Sequence, residues 1–140
     1  MTFTNPDDQT LRKLLTDARR IAVVGLSPKP HRDSNRVARY LIDHGYEVVP
    51  VYPREETILG RPVFRQVSEI TGGVDLVDVF RRSEHLPEVV EDALLGQVKA
   101  LWFQLGCVHD AAARRAVESG AIVVMDRCLM VEHERLLGRS

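Results

Sequence analysis

Only two cysteines, Cys107 and Cys128, occur in the 140 residues. Two are too few for a secreted disulfide scaffold, and their separation matches no zinc-ligand spacing, so no structural metal is expected. Charge of one sign is also missing: 19 Lys and Arg face 20 Asp and Glu, leaving a formal net charge of -1. No global field draws nucleic acid or an anionic membrane to such a chain, so any anion it binds must be held by a local cluster of residues. Long apolar runs are absent too, since nothing approaches the roughly 20 residues of a membrane span. The opening stretch MTFTNPDDQT has neither the basic start nor the apolar middle of a secretion leader. The expectation is a cytoplasmic protein with no nucleic-acid and no membrane partner.

What is present is enough apolar material for a core. At 44% hydrophobic and 28% charged residues, the chain predicts one domain over 1–140, with a core from about residue 11 to 137. Five short β-branched runs read as strands: IAVV (21–24), EVVPVY (47–52), VDLVDVF (74–80), ALWFQL (100–105) and AIVVM (121–125). Helical spacing recurs between them in Val37, Ala38, Leu41 and Ile42, in Leu86, Val89, Val90, Ala93 and Leu94, and in Ala112, Ala113, Ala116 and Val117. A first helix precedes the strands, with Asn5 as its expected cap, Pro6 in its first turn, and Leu11, Leu14, Leu15 and Ala18 on its apolar face. Strands apolar on both faces, alternating with amphipathic helices, predict a doubly wound α/β fold: a five-stranded parallel sheet with helices on both faces. The mostly polar segment 53–73 is expected to be a loop with at most one short helix.

Ligands of such sheets sit outside the carboxyl ends of the strands, where the strand order reverses. The first exit, GLSPKPHRDSN (25–35), resembles a phosphate turn with altered glycines. Gly25 stands where the first glycine of G-x-G-x-x-G belongs, but Ser27 and Pro30 occupy the other two positions. Ser27, Lys29, His31, Arg32 and Ser34 bring hydroxyls and cations to a helix expected to begin near Asn35, whose free N–H groups suit a phosphate. The competing reading is that Ser34 only caps that helix while Lys29 and Arg32 are solvated. Strand two ends in VYPRE, so Pro53 and Arg54 replace the acidic residue that binds a dinucleotide's ribose diol. Strand three ends in FRRS, where Phe80 precedes two guanidinium groups, Arg81 and Arg82, and Ser83 is the expected cap of the next helix. Two adjacent arginines at one strand end cannot both enter a core, so at least one faces solvent or an anion.

Four ordered stretches, GLSPKPHRDSNRVARYLIDHGYEVVPVYP, DLVDVFRRSEHL, LWFQLG and VVMDRCLMVEH, resemble the small stand-alone coenzyme A-binding proteins of bacteria and archaea. The resemblance runs from about Leu11 to about Leu137. It implies a Rossmann-like fold, similar to the coenzyme A-binding domain of the succinyl-coenzyme A synthetase α-subunit. It also implies that coenzyme A or an acyl derivative is the ligand. Pyrophosphate contacts are implied for Gly25, Ser27 and the backbone near Asn35, and adenosine or 3'-phosphate contacts for Pro53, Arg54, Phe80, Arg81 and Arg82. Where Tyr52 stands, that family commonly carries Asn. An NAD(P)-binding oxidoreductase-type domain is the competing expectation, because Arg54 could also meet a 2'-phosphate.

No set of nucleophile, base and oxyanion donors can be assembled from the sequence, which favours a non-enzymatic binding protein. Cys128 is expected at a helix N-terminus on the ligand edge, a location that lowers a thiol's pKa and suits a mixed disulfide with coenzyme A; a buried inert thiol is the alternative. Asp110 is expected to cap a helix, which leaves His109 without an acid-base partner. His133 lies a turn beyond Cys128 with no third group to orient it, and Glu132 and Glu134 are expected on a solvated face. His44 before Gly45 reads as a helix end.

Overall fold

The structure is a computed structural model that describes residues 2–138. Its main sheet is built from β1 (Arg20–Val24), β2 (Glu47–Val51), β5 (Leu76–Val79), β6 (Ala100–Phe103) and β7 (Ile122–Met125), in the order β2-β1-β5-β6-β7. Every neighbouring pair is parallel. Among the described residues five helices complete the layers: α1 (Asp8–Asp17), α2 (Asp33–Asp43), α3 (Leu86–Leu95), α4 (Asp110–Glu118) and α5 (Leu129–Leu137).

Each strand feeds both faces of the sheet, as the period of two requires. Ala22, Val24, Val77, Val79, Leu101 and Phe103 pack beneath α3 and α4, whereas Ile21, Val23, Leu76, Ala100 and Trp102 pack beneath α1, α2 and α5. From β1 the chain moves outward to β2, then returns across β1 to start β5. The strand order therefore reverses between β1 and β5, and the crevice of the fold opens there.

Segment 53–73 is more structured than its polar composition suggests. It forms a small antiparallel hairpin, β3 (Thr57–Ile58) with β4 (Arg61–Pro62), and then a short 3-10 turn over Val67–Glu69. Leu59 and Gly60 turn the hairpin with positive φ, and a parallel bridge from Val51 to Phe64 lays the returning chain beside β2. Period-two alternation cannot reveal strands of two residues.

The cap of α1 is Asp7, whose carboxylate accepts from the Thr10 N–H at 2.9 Å, and not Asn5. Asn5 instead donates its amide to the Met125 carbonyl at 3.0 Å and accepts from the Met125 N–H at 2.8 Å. It thereby satisfies backbone groups on the open edge of β7, which would otherwise invite another strand.

Among the buried strand positions, one residue breaks the apolar pattern. Asp78, in the middle of β5 between Val23 and Trp102, is 0% exposed, and neither of its oxygens meets a hydrogen-bond partner. Burial pushes the pKa of its carboxyl well above the ordinary carboxylate range.

Candidate functional site: the C-terminal edge of the sheet

Gly25 leaves β1 with φ +82°, and a Cβ at that position would lie 2.2 Å from the Phe80 carbonyl oxygen. Its N–H donates to the Val51 carbonyl at 2.8 Å. The first turn is thus wedged between the exits of β2 and β5, a fit available only to a residue without a side chain.

Beyond Gly25, α2 begins earlier than its apolar spacing indicates, at Asp33 instead of near Asn35. Ser34 is not its cap. Both Ser34 and Asn35 sit in the first helical turn, buried: the Ser34 hydroxyl accepts from the Ser27 N–H at 3.0 Å, and the Asn35 amide donates to the Ser27 carbonyl at 2.9 Å. The Ser27 hydroxyl in turn accepts from the Lys29 N–H at 3.1 Å. The Ser27 and Ser34 hydroxyls and the Asn35 amide therefore fix the shape of the turn. The actual cap position, Arg32, supplies no side-chain bond, so the first N–H groups of α2 keep no intrahelical acceptor and no side-chain one at the cap. Lys29 and Arg32 are exposed beside them, while Asp33 of the same turn is paired with Arg36.

At the exit of β2, Tyr52 is half-buried and the Arg54 guanidinium lies 5.8 Å from its ring centroid. The loop passes through Glu55 at φ 70° and is held by Arg65, which donates to the carbonyls of Tyr52, Arg54 and Glu55 at 3.1, 3.0 and 2.9 Å. Arg65 is a residue that sequence reasoning missed. It reaches this loop only through the β3–β4 hairpin, and no local pattern announces that return.

The exit of β5 divides its two arginines. Arg81 is half-buried and lies 3.6 Å from Glu88, which also meets His85 at 2.9 Å; Arg82 is exposed and has no ion pair among the described residues. Ser83 does not cap the following helix. Its hydroxyl accepts from the Val108 N–H at 2.9 Å and lies 3.3 Å from the Gly106 carbonyl, which ties the β5 exit to the β6 exit. Cys107 supports the same exit: its thiol donates to the Arg81 carbonyl at 3.1 Å, and burial pushes its pKa up, as expected of an inert buried thiol.

Between these exits lies a cleft of about 520 Å³, lined in part by Gly25, Tyr52, Pro53, Arg65, Phe80 and Arg81. It gathers four of the residues singled out from the sequence, Gly25, Pro53, Phe80 and Arg81. Ser27, Lys29, Arg32, Ser34 and Asn35 stand on the turn beside it, and Arg54 and Arg82 lie outside its lining on the same two exits.

Cys128 is the cap position of α5, partly exposed, and makes no side-chain cap bond. It lines a different groove, of about 460 Å³, with Leu105, Asp126 and Val131. Asp126 there has φ 64° and accepts from the Gly106 N–H at 2.8 Å. The other candidates for chemistry are engaged elsewhere. His109 caps α4 by accepting from the Ala112 N–H at 3.1 Å, in the place expected for Asp110, which takes the Phe3 N–H at 2.7 Å. Glu132 is buried and paired with Arg135 at 2.8 Å, not solvated. His133 faces Tyr40 of α2 at 2.8 Å.

A parallel doubly wound sheet, a glycine-demanding first turn and a crevice at the strand-order reversal define a Rossmann-like α/β fold. Within that class the chain belongs to the CoA binding domain family, whose pattern it matches over residues 19–134. It is 41% identical over 129 residues to the uncharacterized protein YneT of Bacillus subtilis (strain 168), covering 92% of this chain and 96% of that protein. A hypothetical protein from Pyrococcus horikoshii OT3 superposes with a TM-score of 0.91 at 43% identity, covering 99% of this chain and 100% of that one. The dinucleotide-forming acetyl-coenzyme A synthetase 1 of Ca. Korarchaeum cryptofilum, in its apo form, shares the fold with a TM-score of 0.68 at 23% identity, over 76% of this chain and 26% of the synthetase.

Proposed function

We propose that the protein binds coenzyme A or an acyl-coenzyme A, with the phosphates held on the exits of β1, β2 and β5. The observation that carries this reading is the convergence of three distant segments, 25–35, 52–54 and 80–82, on one edge of the sheet around a single cleft. The diphosphate lies against Gly25, Ser27 and the uncapped first turn of α2, with Lys29 and Arg32 as neighbouring cations and Ser34 and Asn35 holding the turn open. The adenosine and its 3'-phosphate lie toward Pro53, Arg54, Phe80, Arg81 and Arg82. An arginine suits a phosphate there, where a free ribose diol would call for a carboxylate.

The pantetheine arm then runs across the exits of β5 and β6 toward β7. Neighbouring parallel strands lie about 4.8 Å apart, so the β7 exit is about 14 Å from that of β1. Cys128 stands at this far end. Its thiolate, attacking the disulfide of oxidised coenzyme A, forms the protein–coenzyme A mixed disulfide and releases one reduced coenzyme A. No catalytic group is assigned beyond this thiol.

Side-by-side calorimetric titration with coenzyme A, dephospho-coenzyme A, NAD and NADP tests the reading. Coenzyme A is expected to bind most tightly. Binding of NADP without coenzyme A would select the competing expectation, an NAD(P)-binding oxidoreductase-type domain. Intact mass after incubation with oxidised coenzyme A tests the thiol: an adduct that is lost in Cys128→Ser is expected, and its absence from the unsubstituted protein rejects the mixed disulfide.

A further inference from the structure

Away from the ligand edge, five ring or carboxyl side chains from three segments meet at the seam between α2 and α5. The Tyr40 hydroxyl is 2.8 Å from His133 Nδ1 and 3.1 Å from Glu134 Oε2. One hydroxyl carries one proton. If it goes to the carboxylate, the imidazole must donate its Nδ1–H to the tyrosine oxygen, giving a chain from His133 through Tyr40 to Glu134. His44 stacks on Tyr40 with ring centroids 3.9 Å apart, and its Nδ1 is 2.8 Å from the Tyr40 carbonyl, which can only accept. Its ring lies 5.2 Å from that of His133, and the ring of Tyr46 closes the other side at 5.6 Å.

His133 is 5% exposed in this packing, so a second proton on its ring has little access to water. The groups facing it are few. From α2 and its carboxyl cap come Tyr40 and His44; from the turn into β2 comes Tyr46, whose hydroxyl donates to the Leu15 carbonyl of α1 at 2.5 Å and which feels the charge of Arg19. From α5 itself comes the exposed Glu134, the one neighbour that favours a cation on His133.

We propose that the Tyr40, His44 and His133 cluster is an acid-sensitive latch that fastens α5 to α2. Burial first, then His44, lowers the His133 pKa below its ordinary 6.5, and Glu134 only partly offsets them. A base whose folded value is lowered leaves full stability above its unfolded value and loses stability as pH falls through the folded one. Acidification therefore puts a cation on the buried His133 ring in the seam and loosens it. The amino end of α2 carries the turn at 25–35, and that of α5 carries Cys128, so the latch links two remote parts of the C-terminal edge.

Hydrogen exchange at about pH 7.5 and about pH 5.5, corrected for intrinsic rates, tests the latch in the unsubstituted protein and in His133→Asn, whose amide can donate to Tyr40 but cannot titrate. The expected result is that α2 and α5 amides exchange about fivefold or more faster at the lower pH, relative to α3 and α4, and that His133→Asn removes this difference. An equal acid response in the variant, or an acid response spread evenly over all helices, would overturn the proposal. Should the variant fail to fold, the His133 ring resonances of the unsubstituted protein decide: titration below pH 6.5 is required, and titration at or above that value refutes the latch.

Discussion

Gly25 shows how a single missing side chain decides the shape of the site. A methyl group there meets the Phe80 carbonyl at 2.2 Å and must also adopt a left-handed backbone, so Gly25→Ala is expected to cost about 3 kcal/mol or more. Urea unfolding measures that cost, and an unchanged midpoint would contradict the wedge. Arg54 and Arg81 present a matched pair of tests. If they hold the 3'-phosphate, Arg54→Ala or Arg81→Ala narrows the affinity gap between coenzyme A and its dephospho form by about tenfold, the worth of one charge-assisted hydrogen bond. A gap unchanged in both variants rejects the assignment. Asp78 makes a prediction of the opposite kind to that of His133. An acid whose folded pKa is raised stabilises the fold below its ordinary value, 3.8, and that stability is lost as pH rises through the folded value. Asp78→Asn should therefore flatten the decline in stability as pH rises above about 4, read from urea midpoints at each pH. A variant that declines in parallel with the unsubstituted protein would show that Asp78 does not titrate there.

At the scale of elements, the five parallel strands and five helices were legible because each carries a run long enough to display its period. Ile21 to Val24 and Ile122 to Met125 are β-branched or apolar without interruption, and Leu11, Leu14 and Leu15 repeat at helical spacing. Caps were less legible. Asn5, Ser34, Ser83 and Asp110 all have the chemistry of a cap, but each is recruited by a neighbouring segment: β7, the first turn, the β6 exit and the amino-terminal stretch around Phe3. Short polar side chains satisfy whichever backbone group the tertiary fold leaves open, and the sequence does not say which that is. Asn5→Ala tests one of these reassignments. Losing two partly buried hydrogen bonds to Met125 should cost about 1 to 2 kcal/mol, with faster exchange at the β7 edge. If the effect were confined to fraying of α1, the capping role would be restored.

Across the whole molecule, the edge was legible as a list of loops, and the structure turns that list into a spatial order. The exits follow one another as β2, β1, β5, β6 and β7, so Arg54, Gly25, Arg81, Leu105 and Cys128 are met in sequence along one rim. Sequence reasoning placed the basic residues on that rim but could not separate those that hold the loops from those left free. Ser34 and Asn35 are spent on Ser27, Arg65 is spent on the β2 exit, and Arg81 is held by Glu88, while Arg82 stays unpaired among the described residues. The central claim is that coenzyme A lies along this rim from β2 toward β7. Backbone amide shifts followed during titration with coenzyme A test it most directly. The account predicts the largest changes at residues 25–35, 52–54 and 80–82, with smaller ones reaching Cys128. Saturable binding whose shifts fall instead at the opposite end of the sheet, around Lys13, Asp75 and Ile122, would contradict it.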